Sequence, residues 1–145
     1  MVIALGTSGT ATGELYLDDG ESLNSVSSLL YSHIKYTAQY TSLGNSGYPR
    51  KFALLLNILG SLKSTLLKSN YSNVPPLTQV RLLGLQGLQS PQVWINGSIY
   101  HSFTYDKINK VMMFTFQNKL FKVLLIEHLS LNMITPFEIQ WVFNS

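Results

Sequence analysis

A chain of 145 residues with 46% hydrophobic and 12% charged side chains, a net charge of +3 and no cysteine is long enough for one domain around a buried core. The ten basic residues stand singly, so nucleic acid finds no basic run, and the missing cysteines exclude disulfides and thiolate-bound zinc. The longest apolar stretch, residues 52–60, falls short of the roughly 18 to 20 residues that a membrane span needs. A charged fraction well below the usual ~25% leaves a surface suited to cover by a neighbouring domain.

In chain order the sequence reads as short apolar runs between turn residues, the pattern of an all-β protein. MVIAL is a first strand. It lacks the basic n-region of a signal peptide, and a chain opening directly on a strand suggests a start inside a larger protein. GTSGTATG follows as a loop. ELYL alternates apolar and polar residues and runs into DDG, a hairpin signal in which Asp18 and Asp19 bend the chain and Gly20 takes the left-handed position. HIKYTAQY places Ile34, Tyr36, Ala38 and Tyr40 on one face at period two. GNSGYP, residues 44–49, is a loop.

FALLLNILGSLKSTLLK, residues 52–68, has two readings. Leu55, Leu59, Leu62 and Leu66 would line one face of a helix, whereas Gly60 with the Ser and Thr residues near it would mark two strands meeting at a bend. The surrounding all-β pattern favours strands. SNYSNVPP is a break, because Pro75 and Pro76 cannot sit in a central strand. TQVRLLGL, PQVWIN, SIYHSFTY and KVMMFTF then follow at intervals of roughly ten residues, with NG (96–97) and DKINK (106–110) as turns. KLFKVLLIEHL, 119–129, fits strand or helix. FEIQWVF closes the chain with Phe137, Ile139, Trp141 and Phe143 on one face. The expected fold is all-β: a two-sheet antiparallel β-sandwich spanning residues 1–145 as a single domain.

The chemistry on offer is limited. His33, His101 and His128 are far apart in the chain, with no HxH or HExxH pairing, and no phosphate-binding, dinucleotide-binding or GxSxG motif occurs. One acidic cluster stands out: Asp18, Asp19 and Glu21 around Gly20. A glycosidase needs two carboxyl groups about 5 to 10 Å apart across the sugar, one of them held protonated. Adjacent aspartates on a strand point to opposite faces, and in a solvated turn both ionise. Hard oxygens leave calcium or an interdomain contact as a second reading, but the spacing is not that of an EF-hand loop. The reading is a structural turn of Asp18, Asp19, Gly20 and Glu21, with no catalytic, metal-binding or cofactor-binding residue in the chain. Two sequons, at Asn70 and Asn96, lie in expected loops and offer N-glycosylation acceptors, although Asn96-Gly97 is also a type I′ hairpin signal.

GELYLDDGESLN, then VRLLGLQGLQSPQVWINGS, then a final FEIQWV resemble, in order and spacing, the C-terminal region of family 31 glycoside hydrolases of α-glucosidase type. The resemblance covers residues 1 to about 117 and again 133–143. It implies a distal C-terminal β-sandwich domain packed beside a (β/α)8 catalytic barrel, in a secreted or lysosomal/vacuolar glycoprotein that hydrolyses α-linked glucose oligosaccharides with retention. The family's aspartate nucleophile and acid/base belong to the barrel, the former in a WxDMNE-like motif. Trp94 and Trp141 precede no such motif, so no catalytic residue carries over and no cofactor is implied. Leu17 stands where the family often has an aromatic, and residues 118–132 read as an insertion into the family pattern. The barrel is the expected partner. The alternative is a carbohydrate-binding module, with Trp94, Tyr100 and Tyr105 offering flat faces to sugars.

Overall fold

In the last strand the burial alternates strictly: Ile139, Trp141 and Phe143 are buried while Glu138, Gln140 and Val142 are half-exposed. That period of two turns every second side chain of an extended chain to one face, and the same logic builds the whole molecule. The computed structural model describes residues 1–41, 58–85, 90–107 and 122–143. Expectations for GNSGYP, for KVMMFTF and for residues 52–57 lie outside them. Among the described residues ten strands form: β1 (Val2–Ala4), β2 (Thr10–Leu17), β3 (Ser32–Thr41), β4 (Ile58–Ser69), β5 (Val80–Leu85), β6 (Gln92–Ile95), β7 (Ser98–Tyr100), β8 (Phe103–Lys107), β9 (Lys122–Ile126) and β10 (Glu138–Phe143).

They make two sheets, ordered β2-β3-β4-β10-β6-β7 and β1-β5-β9-β8. Every pairing is antiparallel except β1 with β5, where Ile3 lies opposite Leu82 in parallel register. The expected all-β sandwich is therefore the fold, with one parallel edge. Ile34, Leu62, Ile139, Trp141 and Phe143 of the larger sheet and Val80, Leu82, Leu85, Leu124 and Ile126 of the smaller one are almost wholly withdrawn from water. Burying each such side chain is worth about 1.5–3 kcal/mol, which is what holds the layers together.

The structure departs from the sequence reading at five places, one of them the DKINK turn, whose Asp106 and Lys107 still pair within β8 opposite Val123 and Lys122. GTSGTATG is only half a loop: Thr10–Gly13 already belong to β2, paired to β3 from Thr10↔Gln39 onward. Small polar residues suffice there because β2 is an edge strand whose outer face meets solvent. DDG does not close a tight hairpin, since β2 and β3 rejoin at Leu17↔Ser32 and residues 18–31 form the connection. Gly60 is not a bend. It lies within the single strand β4, opposite Trp141, and a Cβ at that position would fall 2.0 Å from the indole. SIYHSFTY is not one strand but two. It breaks at His101–Ser102, so that β7 ends the larger sheet and β8 begins on the smaller.

Residues 119–129, read as strand or helix, carry β9 between β5 and β8. The described part of 118–132 thus supplies an inner strand of the smaller sheet, with Leu124 and Ile126 fully buried.

Candidate functional site

Leaving β2 at Leu17, the chain reaches the acidic corner and turns on its own side chains. Asp18 accepts from the Gly20 amide at 3.0 Å with one oxygen and from the Ser25 hydroxyl at 2.6 Å with the other. Asp19 accepts from the amides of Glu21 at 3.2 Å and Ser22 at 2.9 Å, and its second oxygen takes the Ser22 hydroxyl. Gly20 has a φ of 69°, the left-handed backbone that glycine adopts without a Cβ penalty. The Ser22 side chain and the two amides hold the Asp19 carboxyl below its ordinary pKa. A general acid requires the opposite shift. Chemically this corner is a set of acceptors already engaged with local donors. Among the described residues no three His, Cys, Asp or Glu side chains gather where they could hold a metal ion.

Beyond the corner the connection carries Leu23, Val26, Leu29 and Leu30, all more than half exposed. Hydrogen bonds from the Ser28 amide to Asn24 O and from the Leu30 amide to Ser25 O wind this segment into consecutive turns. The segment after the acidic turn therefore carries its apolar side chains at the surface.

The aromatic candidates are committed elsewhere. Tyr105 packs on Phe143 at 5.1 Å between ring centres, and burial beside Tyr40 pushes its hydroxyl up. Tyr100 donates its hydroxyl to Glu127 O, and Trp94 is half-buried. The sequence reading missed a different cluster on the outer face of the larger sheet. Tyr16 stacks on His33 at 3.9 Å, Tyr31 lies 5.6 Å from Tyr16, Lys68 sits 4.1 Å over the Tyr31 ring, and His33 meets Glu14 at 2.8 Å. Tyr16 and His33 are register partners, so the signal that would reveal them is the β2–β3 register, which the long connection conceals. His128 bonds Ser102 at 2.9 Å, on the opposite sheet, so the histidines stay dispersed.

Of the two sequons, Asn70 uses its side-chain nitrogen to donate to Leu29 O at 3.0 Å. Asn96 instead uses its oxygen, accepting from the Glu138 amide at 2.9 Å. With φ of 50° at Asn96 and 80° at Gly97, this pair closes the β6–β7 hairpin as its Asn-Gly composition foretold.

A cavity of about 470 Å³ opens between β1 and β2, bordered by Ile3, Gly13, Leu15, Tyr36 and Leu62. It is mainly apolar, with Thr12, Glu14 and Tyr36 also on its lining.

The described residues define an all-β sandwich of two sheets. Its similarity is to a part of large glycosidases. Over 114 residues, 77% of its length, it is 46% identical to an α-glucosidase of Aspergillus niger, of which it spans 9%. The resemblance read from the sequence, to family 31 glycoside hydrolases of α-glucosidase type, is thereby shown. An α-1,4-glucan lyase of Gracilariopsis lemaneiformis shares the fold, with a TM-score of 0.50 at 16% identity over 97% of this chain and 13% of that one. No family model matches the chain.

Proposed function

We propose that the chain is a non-catalytic C-terminal domain of a family 31 α-glucosidase, and that its role is to pack on the catalytic (β/α)8 barrel of that enzyme. The observation that carries this reading is the 46% identity that runs through 77% of the chain yet touches only 9% of the relative. Two physical features agree with it. The acidic turn spends its carboxylates on local hydrogen bonds, and the turn leads into a run of exposed leucines and valine that a neighbouring surface would cover. The parent would hydrolyse α-linked glucose oligosaccharides in a secreted or lysosomal/vacuolar setting. If the chain is glycosylated there, Asn96 is the favoured acceptor, because its amide nitrogen is not drawn into the bond its oxygen makes.

The test is direct. The purified chain should release no glucose from maltose. It should also bind the A. niger α-glucosidase lacking the matching region. Glucose release abolished by Asp18→Asn or Asp19→Asn would overturn the proposal.

A second reading, a carbohydrate-binding module, draws support from Tyr16, 57% exposed on the outer sheet face and backed by His33. Affinity electrophoresis in glucan gels would then show retardation that Tyr16→Ala removes and that Trp94→Ala leaves unchanged.

A further inference from the structure

On β2 the inward positions are Ala11, Gly13, Leu15 and Leu17. Three of them pack partly buried against the core, and the fourth has no side chain. Gly13 lies opposite Tyr36 in register, and a Cβ built on it would meet nothing within 4 Å. Its backbone has ordinary negative φ, so no conformational demand calls for glycine there. The empty position is what opens the cleft of about 470 Å³ between β1 and β2.

Tyr36 stands on the wall of this cleft. It is 7% exposed, yet among the described residues its hydroxyl has no hydrogen-bond partner. Folds seldom leave a buried donor unpaired, and the exceptions call for an explanation. Among the described residues the two flanking strands are the outermost members of their sheets, and both line this one cleft. Both lips of the cleft are therefore strand edges, the places where an extended segment can add itself.

We propose that this cleft is a socket for the remainder of the α-glucosidase polypeptide: an extended segment runs along β2, seats one large apolar side chain in the space beside Gly13, and accepts the Tyr36 hydroxyl on a backbone carbonyl. The proposal rests on the domain reading above and adds the place of contact. Three considerations select this occupant. The matched region is 9% of the relative, so the bulk of that polypeptide is available as a covalent neighbour at high effective concentration. A second copy related by a twofold axis would oppose cleft to cleft, and two concave surfaces cannot fill one another. A lining that is apolar apart from Thr12, Glu14 and Tyr36 suits an apolar side chain better than a polar small molecule such as a sugar.

The experiment uses the 145-residue chain with two probes. One is the A. niger α-glucosidase lacking its matching region; the other is a set of overlapping peptides tiled across that same remainder. Gly13→Leu should fill the cleft, keep or raise the Tm of the free chain, and weaken association with the truncated enzyme by about tenfold or more. Tyr36→Phe should weaken it by a smaller factor with no fall in Tm. One peptide bearing a large apolar residue should bind the unaltered chain and not Gly13→Leu, and amide exchange should slow at residues 11–15 in its presence. A purely structural role for position 13 would not couple a steadier fold to a lost partner. If the unaltered chain associates and both variants associate equally well, the socket is wrong while the domain reading stands. If the unaltered chain binds neither probe, both fail. A homodimer that Gly13→Leu dissociates would assign the cleft to a second copy and overturn the proposal.

Discussion

Gly60 and Gly13 both face inward on the larger sheet, two strands apart, and they do opposite things. At Gly60 the absent side chain is replaced by the indole of Trp141, so closely that a Cβ would overlap the ring at 2.0 Å. At Gly13 the absent side chain is replaced by nothing, and the space runs out to the sandwich edge. The first position makes the centre of the core dense. The second leaves its margin open beside an unpaired tyrosine. The contrast teaches that a glycine in a strand marks a close approach only where a partner is large enough to arrive, and otherwise marks a vacancy.

The contrast breaks most severely at the indole. Trp141→Ala should cost about 3–5 kcal/mol by removing the side chain that occupies the Gly60 hollow, as read by urea unfolding. Gly60→Ala should be the next largest, at about 1–3 kcal/mol, because the indole must move to admit a methyl group. The same substitution at Gly13 should be neutral or stabilising by up to about 1 kcal/mol, since the methyl finds room and strand glycine is entropically unfavourable. A Gly13→Ala change as damaging as Gly60→Ala would remove the distinction.

Alkali sharpens the comparison from another side. Burial raises the Tyr36 hydroxyl above its ordinary value of 10, and Tyr105 shifts in the same direction. The folded chain therefore holds these protons more tightly than the unfolded chain. Stability is fully present below pH 10 and falls as pH rises above it. Tyr36→Phe should flatten part of that fall in thermal unfolding followed from pH 9 to 11.

The smallest effect is expected at the acidic corner. Asp19→Asn should shift Tm less than any core change, and with Asp19 intact the turn should loosen only as pH falls through its lowered pKa. Amide exchange at Glu21 and Ser22 would report it.

What the residues determined alone is the local alternation. Period-two patterning marks β3 and β10 without ambiguity, because Ile34, Tyr36, Ala38 and Tyr40, or Phe137, Ile139, Trp141 and Phe143, cannot all be buried in any other regular conformation. Asn96-Gly97 likewise announces its own hairpin, since both residues accept positive φ. The length of the DDG connection, the division of SIYHSFTY between two sheets and the inner place of β9 are matters of which strand pairs with which. Pairing depends on contacts between residues distant in the chain, and no local pattern encodes it. The cleft is tertiary for the same reason. A glycine on a strand reads identically whether Trp141 or empty space lies opposite, and only the packed sheets decide between them.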